Sequence, residues 1–119
     1  MDYATRFAEL LDGLSQVIGL PDLRPDESGY LCLMMEEGHA LQFQLNPHTG
    51  ELTMFSSLGQ LGSEHRPAVN DHLLSANLFW RGTGGATIGV DPEDHEVIIA
   101  QRLPIDRLES AALIGRAHV

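Results

Sequence analysis

The chain is poor in three things that narrow its function. It has only 7 basic residues against 17 acidic ones, a net charge of -10. Nucleic acids and anionic membranes are bound through Lys and Arg, so both are disfavoured as partners. The balance favours solubility, or a basic or aggregation-prone partner. It has one cysteine, Cys32, so no internal disulfide forms. Cys32 sits in an apolar run, and a buried free thiol in a reducing compartment is expected. No apolar run approaches a membrane span. The opening Met1-Asp2-Tyr3-Ala4-Thr5-Arg6 lacks a basic segment followed by an apolar one, as a signal peptide requires. The chain reads as cytosolic.

Recognisable chemistry is also missing. Gly82-Thr83-Gly84-Gly85 invites a phosphate-loop reading, but it follows a helix pattern and precedes a strand pattern, the reverse of what phosphate sites need. Gly84 and Gly89 have the outer P-loop spacing, yet Val90 stands where Lys is required. Of the six histidines, His65 and His72 could share a helix face. Two helical turns would hold them roughly 10 Å apart, too far for one metal ion. Cys32 has no basic flank to lower its pKa. No Gly-x-Ser-x-Gly signature occurs, and the acids are scattered as on a solvated surface. No catalytic residue, metal or cofactor is expected.

What is present is periodicity. At 119 residues the chain suits one domain, 1–119, with a modest core. Tyr3, Phe7, Leu10, Leu11, Leu14, Val17 and Ile18 form one face of a 3.6-residue period, with Asp2 to cap the helix and Gly19 and Pro21 to end it. Residues 20–29 read as a loop. Tyr30 to Met35 is apolar on both alternating sets, as in a strand covered on two sides. After a turn at Glu36-Glu37-Gly38-His39, Leu41, Phe43 and Leu45 alternate with Gln42, Gln44 and Asn46, the mark of a strand with one wet face. Asn46-Pro47-His48-Thr49-Gly50 is a turn, and Leu52 to Ser57 a third strand.

A second helix starts between Ser63 and Pro67 and runs to about Phe79, with Val69, His72 or Leu73, and Ala76 along one side. Ala86 to Val90 and Glu96 to Leu103 are strands around the loop Asp91-Pro92-Glu93-Asp94-His95. Asp106 and Glu109 have capping-box spacing for a last helix through Leu108, Ala111, Ala112 and Leu113. The order αβββαββα predicts an α+β fold with a mainly antiparallel twisted sheet.

The central stretch carries a family resemblance. Leu73-Leu74-Ser75-Ala76-Asn77-Leu78-Phe79-Trp80, then Gly84-Gly85-Ala86-Thr87-Ile88-Gly89-Val90-Asp91, resembles the class I type III secretion chaperones, the Tir-chaperone-like family. Ile18-Gly19-Leu20-Pro21 after the first helix and Leu103-Pro104 before the last support it. The resemblance implies a cytoplasmic bacterial homodimer. It would bind the N-terminal chaperone-binding segment of a secreted effector and keep it extended and secretion-competent, without ATP. Carried onto this sequence, the dimer contact falls on Leu74, Leu78, Trp80, Ala86, Ile88 and Val90. The effector surface falls on the first helix and the adjoining sheet, at Phe7, Leu10, Leu14, Leu41, Phe43 and Leu45. Sequence does not separate groove from core among these. A chaperone-like regulator that sequesters a transcription factor or another chaperone would use the same groove. A small-ligand-binding α+β dimer would instead need a deep pocket with convergent polar groups.

Overall fold

The computed structural model describes residues 2–35 and 38–109. Helix α1 spans Tyr3–Ile18. Asp2 starts it: Oδ1 accepts from the amides of Ala4 and Thr5 at 3.1 and 3.3 Å, two of the donors a helix start leaves unpaired. Gly19 ends it in the left-handed region, φ 74°, and donates its N–H to the Ser15 carbonyl.

Five strands follow: β1 Tyr30–Met34, β2 Ala40–Leu45, β3 Glu51–Gln60, β4 Thr87–Val90 and β5 Glu96–Pro104. They form one sheet in the order β1-β2-β3-β5-β4, and every pairing is antiparallel. Helix α2, Arg66–Asn77, joins β3 to β4, and a tight 3-10 turn, Leu78–Trp80, continues from it. The five-stranded antiparallel sheet with its helices is the α+β fold expected.

One face of the sheet carries Leu33, Phe43, Leu45, Leu52, Met54 and Leu103, the period-2 set of each strand. Helix α1 covers it with Phe7, Leu10, Leu11 and Leu14, and Ile105 and Leu108 close the cluster. Phe7 and Phe43 meet at its centre, ring centroids 6.5 Å apart and tilted by 50°, a geometry aromatic quadrupoles favour.

Four elements differ from the sequence reading. First, β3 continues through Leu58-Gly59-Gln60, beyond the strand expected to end at Ser57. A bulge between Ser57 and Gly59 lets the strand go on pairing with Val97 and Glu96. Second, Cys32 is exposed, not buried. Leu31 and Leu33 take the core-facing parity of β1, so Cys32 and Met34 face away. The strand is a sheet edge with one covered face, not a strand covered on both. Third, the Asp106 capping-box region is a 3-10 turn, Ile105–Arg107. The expected last helix beyond it falls on residues 110–119, outside those described. Fourth, the second helix stops at Asn77, and Leu78 to Phe79 belong to the 3-10 turn.

Candidate functional site

Among the described residues the chemistry-bearing side chains form no cluster. Among the described residues no group of three His, Cys, Asp or Glu could hold a metal ion. Among the described residues three groups have displaced pKa values, and each has a local structural cause. The Thr5 hydroxyl, then the Thr5 amide, holds the Asp2 carboxyl below the usual value. The Ser28 hydroxyl, then the Tyr30 amide, does the same for Asp26. Burial, then neighbouring Cys32, raises the Tyr30 phenol. A cleft of about 700 Å³ lies beside Thr53, Thr87, Gln101 and the Glu51–Arg102 ion pair. That pair, 3.3 Å apart, is itself open to solvent.

The site must therefore be sought in apolar surface, and two regions stand out. The first adjoins α1. Phe7, Leu10, Leu14, Phe43 and Leu45 each keep 3% or less of their surface exposed. They pack on one another and hold α1 to the sheet. Leu41 alone of the six is half-buried, at the margin of the cluster with Leu31 and Tyr3. The exposed apolar side chains nearby are others: Val17 at 64% and Ile18 at the end of α1, Leu20 just past it, and Met34 at 67% on the opposite face of β1. Sequence reasoning placed Val17 and Ile18 on the covered face. Periodicity gives direction around a helix axis but not how far along it the cover extends. A 16-residue helix is about 24 Å long, and the covering ends at Leu14.

β1 is also an open edge. Its first outward rung is closed: Asp26 donates its amide to the Tyr30 carbonyl at 2.8 Å, and its Oδ1 accepts the Tyr30 N–H at 3.0 Å. Antiparallel alternation then points the main-chain groups of Cys32 and Met34 outward, where no further strand pairs among the described residues.

The second region is α2 with its turn and β4. No residue of α2 is buried; Val69, Leu73 and Ala76 are half-covered. Leu74 at 68%, Leu78, Phe79 at 71% and Trp80 all stand in solvent. Four large apolar side chains within seven residues is far from the isolated exposure of an ordinary surface. Ile88 and Val90 on β4 are half-buried, and Ala86 is buried. The exposed rings are displayed by unusual backbone: Phe79 and Trp80 lie at φ 51° and 57°, left-handed values that cost a bulky residue free energy. The Arg81 guanidinium sits 5.7 Å from the Phe79 ring centroid. The structure thus carries Leu74 on α2, Leu78 and Trp80 on the turn that continues it, and Ile88 and Val90 on the strand that follows. Phe79 was missed, although it stands inside the quoted signature.

The Tir chaperone protein (CesT) family model matches residues 9–114. The chain belongs to that family. The class I type III secretion chaperone expected from the central signature is thereby supported by a match over most of the chain. No curated protein sequence matches. Solved structures agree on the fold. The ExsC–ExsE complex aligns at TM-score 0.82 and 21% identity, covering 99% of this chain and 87% of that one. The HopA1–SchA chaperone–effector complex aligns at TM-score 0.79 and 19% identity, covering 95% and 85%. The Yersinia pestis secretion chaperone SycH, solved with a fragment of YscM2, aligns at TM-score 0.71 and 20% identity, covering 98% and 91%. Among the described residues no helix is long and apolar enough to cross a membrane.

Proposed function

We propose that this secretion chaperone works as a cytoplasmic homodimer with no catalytic activity. It binds the N-terminal segment of a cognate effector and keeps it extended until secretion, without ATP. The observation that carries the effector reading is the pairing of a closed α1 core with an uncovered margin. Val17 and Leu20 stand exposed at and just past the end of α1, Leu41 on β2 is half-buried, and Met34 is exposed on the other face of the open β1 edge. An extended segment laid there gains main-chain bonds from Cys32 and Met34 and apolar contacts from the margin. Phe7, Leu10, Leu14, Phe43 and Leu45 support that surface from beneath. The segment's ordering cost consumes part of the contact free energy, so binding stays compatible with later release. The dimer reading rests on Leu74, Leu78, Phe79 and Trp80, whose exposure a single chain leaves uncompensated.

The test is capture by the tagged protein from its source bacterium, with mass spectrometry of what is retained. One dominant secreted protein, held through its N-terminal segment, is the expected result. Capture of a transcription factor or another small chaperone instead would make the protein a regulator. Loss of capture on deleting the partner's N-terminal segment completes the assignment; capture unaffected by that deletion overturns it.

A further inference from the structure

β4 is the second outer edge of the sheet, and an edge strand offers unpaired main-chain groups to any strand that approaches. In the β4–β5 ladder the residues that bond across to β5 alternate with residues whose N–H and C=O point outward. Ile88 belongs to the outward set, and Asn77 meets it. Asn77 Nδ2 donates to the Ile88 carbonyl at 2.9 Å, and Asn77 Oδ1 accepts the Ile88 N–H at 2.8 Å. One side-chain amide thus reproduces the two-bond pattern of a neighbouring strand. Only a carboxamide carries the required donor and acceptor on so short a stem; Asp lacks the donor and Ser has one atom for both tasks.

Beyond the half-covered Val69, Leu73 and Ala76, little else ties α2 down. None of its residues is buried. Among the described residues these two bonds are the only side-chain hydrogen bonds between α2 and the sheet. The chain just past the 3-10 turn is held against the helix, since Gly82 donates to the Ala76 carbonyl at 3.0 Å. That contact fixes the turn to α2 but not α2 to β4.

We propose that Asn77 is the positioning residue of self-assembly. Its amide locks α2 to the β4 edge, so that Leu74 on the helix, Leu78 on the turn after it, and Ile88 and Val90 on the strand present one rigid surface to a second copy. The same bonds close that edge to pairing with a foreign strand. The inference rests on the homodimer reading above, and the experiment separates the two.

Amide hydrogen exchange and a light-scattering dilution series are run on the wild-type protein and on Asn77→Ala. Wild type is expected to be dimeric, with the Ile88 amide protected. In the variant, Ile88 loses protection by about tenfold or more, as loss of a hydrogen bond of ordinary strength implies. The Gly89 amide, which faces β5, keeps its protection. The dimer dissociation constant rises by a similar factor, or larger assemblies form through the freed edge. A freely exchanging Ile88 amide in the wild type overturns the proposal even if Asn77→Ala fails to fold. So does a variant that loses Ile88 protection but dimerises as tightly as wild type. A monomeric wild type with a protected Ile88 amide sinks the dimer, and the assembly role with it, while leaving the Asn77 lock itself demonstrated.

Discussion

The ring of Tyr3 occupies the space that a side chain on Gly50 would need. A Cβ at Gly50 would lie 2.4 Å from Tyr3 Cε1, and Gly50 itself has φ +75°. The first turn of α1 therefore rests on bare backbone in the β2–β3 turn. Gly50→Ala is expected to lower stability by about 2 kcal/mol or more, combining left-handed strain with displacement of the ring. Urea unfolding measures it. In the Tyr3→Ala background the cost should shrink towards the backbone contribution alone, because the clash is gone and the two changes couple. Equal costs in both backgrounds would show that the ring does not bear on Gly50.

Phe43 decides between groove and core. Its ring is fully buried and packs at a tilt against Phe7. Phe43→Ala should cost about 3–5 kcal/mol, as truncation of a buried aromatic does. Leu41→Ala, at the half-exposed margin, should cost far less stability yet weaken capture of the partner. Chemical denaturation and binding measured on the same two proteins separate the roles. A stable Phe43→Ala with impaired binding would reverse the assignment.

Much of this architecture was legible in the chain. Alternation at Leu41, Phe43 and Leu45 gave β2 and its buried face, and Phe7 to Leu14 gave the covered stripe of α1. Cap chemistry at Asp2 and Gly19 gave the helix ends. What escaped has a common cause: cover is a property of neighbours, not of the segment. Nothing within Tyr30-Leu31-Cys32-Leu33-Met34 says that β1 is an edge with only one side packed. Nothing within Leu58-Gly59-Gln60 says that β5 is long enough to hold it in the sheet. The exposed second surface was readable only through the family signature, because Leu74 and Leu78 look like core residues until the absence of anything opposite them is seen.

Acid should loosen the chain through Asp2 and Asp26. Both carboxyls are held below the ordinary value of 3.8, Asp2 chiefly by the Thr5 hydroxyl and Asp26 chiefly by the Ser28 hydroxyl. A folded-state pKa below the unfolded one contributes stability that is present above the unfolded value and lost as pH falls through the folded one. The α1 start and the Asp26 closure of β1 should therefore hold at neutral pH and weaken below pH 3.8. Unfolding midpoints measured across that range should fall less steeply in an Asp2→Asn, Asp26→Asn double variant than in wild type. Identical slopes would remove both carboxyls as the source.

The surface of α2 gives the clearest separation of assembly from folding. Leu74 is 68% exposed in the single chain, and α2 buries none of its residues. Leu74→Asp should thus change the stability of the monomer by no more than about 0.5 kcal/mol, the usual range for exposed positions. In the dimer the same carboxylate would be placed in an apolar contact without a partner, which is strongly unfavourable. The variant should scatter light as a monomer where wild type scatters as a dimer, with an unchanged far-ultraviolet circular dichroism spectrum. Ile88→Asp should give the same mass but with some loss of fold stability, since Ile88 is already half-buried against its own chain. If Leu74→Asp keeps the wild-type mass, the second copy docks elsewhere, and the exposed Phe79 and Trp80 must be covered by another protein.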